Sequence, residues 1–177
     1  MVGLVRGLIR TLTGEEGCGH MPQFRNTASL MEYIKKAVDV ALTADVYPTV
    51  RDEEVEAIDE VVYSYPTSGY YRRRGDSGGL GDRTNIIIKG GAAVDGVLTV
   101  VNIARPNPYL NGVDASGGMA SVDKDLPSTV ESGYGYDYWP SPKARKFTEK
   151  TIQNLSASGA CTADLKRGLM RQGITVR

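Results

Sequence analysis

The chain has 177 residues, 41% of them hydrophobic and 24% charged, a balance that suits one soluble globular domain. Lysine plus arginine equals aspartate plus glutamate, giving zero formal net charge, which argues against bulk electrostatic attraction to nucleic acid or anionic lipid. Two cysteines, Cys18 and Cys161, make no disulfide framework and suggest a reduced, intracellular origin. Cys18 and the single histidine, His20, supply two metal ligands, too few for a site.

Residues 1–12, MVGLVRGLIRTL, are apolar with two arginines. The run is too short for a membrane span and lacks the cleavage pattern of a secretory signal. Two readings stand: a short amphipathic arm that docks on a neighbour, or a disordered tail. Residues 13–24 carry glycines and a proline without periodicity and read as a linker. The expected organisation is an arm and linker over 1–24 and one domain over 25–177.

A first helix is expected from about 29 to 45. Ser29 and Glu32 have capping-box spacing, and Leu30, Ile34, Ala37, Val38, Ala41 and Leu42 recur at helical spacing. Pro48 interrupts the stripe. Residues 49–63 predict a second helix, with Val50, Val55, Ile58, Val61 and Val62 on one face and acids on the other. Its β-branched content makes it dependent on tertiary packing.

Two strands are expected next, over 84–90 and 95–106, with Asp95-Gly96 as a hairpin-type dipeptide between apolar segments. Residues 107–128 are rich in Asn, Gly, Ser and Asp, and form either a long functional loop or an insertion that orders on a partner. A short third strand is expected at Thr129–Glu131. An aromatic turn and a Pro-x-Pro corner precede a helix from Phe147 to about Ser158, with Phe147, Ile152 and Leu155 apolar and Gly159 as its stop. A last helix is expected within 161–174, with Leu165, Leu169 and Met170 as apolar positions. Helices at both ends and strands in the middle predict an α+β fold, an antiparallel sheet packed against helices from both chain ends.

The segment YPTSGYYRRRGDSGGLGDRTNI, residues 65–86, invites three chemical readings. A phosphate-binding loop needs a strand before its glycines, a helix after them and a Gly-Lys-Ser/Thr ending; the order here is the reverse. GDSGG at 75–79 matches the surroundings of a protease nucleophile, but helices separate it from His20 and the fold class is wrong. Arg72, Arg73 and Arg74 beside Tyr70 and Tyr71 could pair phosphates and stack on bases, yet no extended basic stripe supports them. Contact with carboxylates of a neighbouring subunit, or with the acidic face of helix 49–63, uses the same arginines. Glu53 and Glu54, and Asp59 and Glu60, are expected as solvated surface. No constellation supports an enzyme, and no cofactor or metal is expected.

The pattern VVYSYPTSGYYRRRGDSGGLGDRTNI at 61–86, with a Gly-Gly-Leu-x-Asp-x-x-Asn-Ile ending, and TVESGYGYDYWPSPKARKFTEKTIQNL near the C-terminus resemble the tail-completion or head–tail joining proteins of tailed bacteriophages. The resemblance covers roughly 27–174. It implies a structural virion protein of the head–tail junction, made in the host bacterial cytoplasm. The resemblance implies that the subunit forms a closed homo-oligomeric ring of six copies, as a tail-completion or tail-terminator protein. Its partners would be connector proteins of the neck and the tail-tube protein, with DNA passing through the lumen unrecognised and no membrane involved. A ring needs two complementary surfaces on each subunit. Tyrosine and arginine are enriched at interface cores, so Tyr65, Tyr70, Tyr71, Arg72, Arg73, Arg74 and Leu80 are the candidate contacts of one surface. Tyr134, Tyr136, Tyr138 and Trp139 are those of the second, or else pack around a turn. The alternative is a DNA-contacting accessory protein of phage morphogenesis that uses Arg72–Arg74.

Overall fold

A computed structural model of the chain describes residues 24–64, 78–105, 125–134 and 143–176. Of the expected arm and linker, only Phe24 falls among them. Within the described residues the fold is α+β: five helices and one two-stranded antiparallel sheet.

Helix α1 spans Thr27–Ala41. Its cap is Asn26, three residues ahead of the expected one. The Asn26 carboxamide oxygen accepts the Ser29 N–H at 2.9 Å, and the Ser29 hydroxyl accepts the Asn26 N–H at 3.4 Å. Ser29 thus closes the capping box from the inside, because its side chain sits at the third helical position.

Pro48 does not end the helix. The chain passes through a wide π turn, Leu42–Val46, and continues as α2, Tyr47–Ile58. Proline lacks an N–H and its ring crowds the carbonyl four residues back. The π turn relieves this by joining the Tyr47 N–H to the carbonyl of Leu42. A second π turn, Asp59–Tyr63, follows α2. One helical run therefore extends from 27 to 63 and forms the spine of the molecule.

Against the spine lies a second run: α4, Phe147–Ser158, and α5, Ala160–Arg171. Gly159 joins them at φ 64, a left-handed conformation that favours glycine and ends α4 where the sequence places its stop. Pairings along the two runs are in opposite order. Lys150 meets Glu60 at 2.8 Å, Asn154 meets Glu53 at 2.7 Å, Thr49 meets Asp164 at 2.5 Å, and Tyr33 bonds the Gln172 carbonyl. The runs are antiparallel, with α2 on α4 and α1 on α5. The two irregularities lie at different levels: Gly159 faces α2, between the Thr49–Asp164 and Glu53–Asn154 pairs, whereas the π turn faces α5, where Asp45 meets Arg171.

The two runs approach closely at Gly168. A Cβ there would stand 2.7 Å from the Ala41 Cβ and 2.5 Å from the Asp45 carboxylate. Arg171, one turn further on, pairs with Asp45. Apolar positions on these helices shift accordingly. Ile152 and Met170 are exposed, whereas Thr151 is buried and donates its hydroxyl to the Phe147 carbonyl at 2.9 Å. Leu155, Leu165 and Leu169 are half-buried.

Strand β1, Ile86–Ile88, pairs with β2, Val100–Asn102, with Ile87 opposite Val101. Val94–Asp95–Gly96–Val97 makes the expected two-residue turn. Asp95 and Gly96 both have positive φ, 53° and 77°, as a type I′ turn requires. Val94 and Val97 exchange backbone hydrogen bonds of 3.1 and 3.0 Å. The hairpin is pinned to α1 by Asp39, which accepts the Gly96 N–H at 2.7 Å, and to the π turn by Thr43, which accepts the Ala93 N–H at 2.9 Å.

The expected third strand is instead part of α3, Leu126–Ser132. Asp125 caps it, Pro127 fills its first turn, and Gly133 closes it at φ 73. These signals override the β-branched Thr129 and Val130. The long loop after β2 therefore leads to a helix and is not an inter-strand loop; residues 106–124 of it lie outside the described residues.

Gly168→Ala will overpack the α1–α5 crossing and cost about 1–3 kcal/mol. Chemical denaturation of the purified protein measures this. Gly90→Ala meets no atom within 4 Å and serves as the comparison that carries only the strain of a positive φ.

Candidate assembly surface

The Gly-Gly-Leu-x-Asp-x-x-Asn segment is a hydrogen-bonded clasp. Asp82 accepts the Gly78 N–H at 2.6 Å, the Thr84 N–H at 2.8 Å and the Thr84 hydroxyl at 2.7 Å. These donors stabilise the carboxylate and hold its pKa below the ordinary value, the Thr84 hydroxyl contributing most. The clasp is therefore strongest above the usual carboxylate pKa and loosens as pH falls through the depressed one. Asn85 donates its side-chain amide to the Gly79 carbonyl at 2.8 Å. Gly81 lies on the Tyr63 ring, and its N–H donates to the Tyr63 hydroxyl at 3.2 Å.

Asn102, on β2, locks this clasp to the spine. Its amide donates to the Leu80 carbonyl at 2.9 Å and to Glu54 at 3.1 Å, and its oxygen accepts the Ala104 N–H at 3.1 Å. Burial pushes the Glu54 pKa up; the Asn102 hydrogen bond opposes this, and the nearby Glu131 carboxylate adds to it. The acids of α2 are thus not a uniformly solvated face. Glu53, Glu54 and Glu60 each reach a partner on another element.

The stretches that border residues 65–77, 106–124 and 135–142 all contribute to one apolar cluster: Ile58, Val62, Leu80, Ala104, Val130 and Phe147. Arg145 ties these borders together. Its N–H donates to the Val130 carbonyl at 3.0 Å and its guanidinium to the Val62 carbonyl at 3.4 Å. Thr148 N–H donates to Glu131 at 3.1 Å, fixing α4 to α3.

The expected contact residues divide between core, surface and the segments beyond. Leu80 is 3% exposed and belongs to the apolar cluster of the subunit. Tyr134 is 81% exposed just past the end of α3. Tyr65, Tyr70, Tyr71, Arg72, Arg73 and Arg74, and Tyr136, Tyr138 and Trp139, lie outside the described residues. The structural roles of Asp82, Asn85 and Asn102 were not anticipated. Asp82 and Asn85 were visible as Asx residues beside glycines, a turn-forming composition; Asn102, inside a strand, gave no local signal.

Among the described residues no group of three or more His, Cys, Asp or Glu side chains is placed to hold a metal ion, and no helix is long and apolar enough to cross a membrane. Burial, with the Asp164 carboxylate as the next cause, pushes the Cys161 thiol pKa up, which disfavours the reactive thiolate.

The family model YomN matches residues 26–171, and the chain belongs to this phage-derived family. No curated protein and no solved structure matches the chain.

Asn102→Ala will leave the Leu80 carbonyl and the Ala104 N–H without this partner and cost about 2–3 kcal/mol, read by denaturant unfolding. Glu54→Gln keeps an acceptor for Asn102 while removing the charge. Because the Glu54 pKa is raised on folding, its ionised form opposes folding above that pKa, and the penalty vanishes below the unfolded value of about 4.5. Glu54→Gln will therefore melt at a higher temperature than the parent at pH 7, and the gap will close as pH falls towards 4.

Proposed function

We propose that the chain is a structural virion protein of the phage head–tail junction, a ring-forming tail-completion or tail-terminator subunit, and not an enzyme. The observation that carries this reading is the common rooting of the two aromatic segments. Ser64 and Gly78 border the Tyr/Arg segment, and Tyr134 and Lys143 border the second aromatic segment. Val62, Leu80, Val130 and Phe147, close to these borders, share one apolar cluster. A subunit that grips copies and neighbours needs side chains of large contact area displayed from a rigid base. Tyr134, exposed just past α3, fits such a display. The phage-derived family supports a phage-encoded protein made in the host; to this the proposal adds homo-oligomerisation into a ring and contacts with neck and tail-tube proteins. DNA would traverse the lumen without sequence recognition.

Size-exclusion chromatography with light scattering, with and without purified tail tubes, tests the reading. The expected result is association in at least one condition; a monomer in both would overturn it. Tyr70→Ala and Tyr71→Ala will leave the melting transition intact and abolish that association. Duplex binding that weakens steeply with salt and disappears when Arg72, Arg73 and Arg74 are changed to alanine would instead favour a DNA-contacting role.

A further inference from the structure

A shallow groove of about 260 Å³ runs between the spine and the hairpin, lined by Lys36, Asp39, Val40, Thr43, Ala44 and the adjacent Ala92–Ala93. Its walls are almost wholly apolar. Val40 is 40% exposed, and at the hairpin rim Val94 and Val97, cross-strand neighbours, are 64% and 62% exposed. The volume lies below the roughly 300–1,000 Å³ of small-molecule sites, and no polar groups converge on it. It matches one or two aliphatic side chains of a polypeptide.

We propose that the occupant is the chain's own N-terminal segment, residues 4–12, seated with Leu8 in the groove. Leu4, Val5, Leu8, Ile9 and Leu12 fall on one face at helical period, and Arg6 and Arg10 fall opposite. This apolar stripe complements an apolar groove and leaves both guanidinium groups to water. Position and reach select the chain's own groove. Phe24 packs its ring on Tyr33 at 5.1 Å, one turn before Lys36. Val40 is about 20 Å along α1 from its start at ~1.5 Å per residue. The roughly eleven residues between 12 and 24 reach about 35 Å when extended. A tether of that length holds the stripe at an effective concentration near the millimolar range, which favours the tethered groove over that of a free copy.

The test uses the full chain with Cys18→Ser and Cys161→Ser, carrying Leu8→Cys and Val40→Cys. Mild oxidation is expected to yield an intrachain disulfide at monomer mass, in a fraction unchanged over a hundredfold dilution. Leu8→Cys with Ile152→Cys, an exposed position on α4, is expected to yield at least tenfold less. No cross-link, equal cross-linking at the two positions, or a dimeric product that fades on dilution would overturn the proposal, the last assigning the groove to another copy. As a second readout, Leu8→Asp is expected to speed amide exchange at Ala92–Val97 at least tenfold with the melting transition unchanged. Identical exchange in the parent and Leu8→Asp would also overturn it.

Discussion

The close approach of Gly168 to Ala41 sets the geometry of the whole scaffold. With no side chain on one helix and a single methyl on the other, α5 comes near enough for short polar groups to bridge the crossing. Asp45 reaches Arg171 and Thr49 reaches Asp164. A larger residue at 168 would separate the helices, and those bridges would have to stretch. Packing density and hydrogen bonding are coupled here, because the same separation satisfies both. The two breaks in the helical runs, the π turn before Pro48 and the left-handed Gly159, let each run bend without parting from the other. Thr49–Asp164 and Glu53–Asn154 hold on either side of Gly159, and Asp45–Arg171 holds at the π turn.

At the other end of the spine, side-chain amides do the work that sheet extension would do in a larger β protein. A sheet of two three-residue strands is marginal on its own. It is held from α2 by Tyr47, whose hydroxyl donates to the Ile86 carbonyl at 2.6 Å, and by the Asn102 bonds to Glu54 and Leu80. The apolar cluster around Phe147 and Ile58 supplies the burial, and the Asn and Asp bonds fix which segment lies where. This division explains how so short a sheet keeps its place on the spine.

Much of this architecture was legible in the residues. Asp95-Gly96 specified its turn because two consecutive positive φ values admit few dipeptides, and Gly159 specified a stop because a helix commonly ends in one left-handed residue that glycine adopts without strain. The helices on both sides were readable from their apolar spacing. Thr129–Glu131 misled because β-branched residues outweighed the Asp125, Pro127 and Gly133 signals around them. Pro48 misled in the opposite direction, since a π turn can carry a helix past a proline and nothing local announces it. Leu80 was legible as apolar but not as core, because its burial depends on Val62, Val130 and Phe147, all distant in sequence. The tyrosine- and arginine-rich candidates remain a reading of composition, whereas the clasp beside them is one of geometry.

Rooting several excursions in a single shared foundation has a consequence for how such a protein can diverge. Val62, Leu80, Ala104, Leu126, Val130 and Phe147, each a few residues from one of the borders at Ser64, Gly78, Arg105, Asp125, Tyr134 and Lys143, all belong to the foundation. Lengthening or rewriting one excursion changes its closure entropy only slowly with length and leaves the footing of the others untouched. Each segment can thus vary by itself on an unaltered chassis.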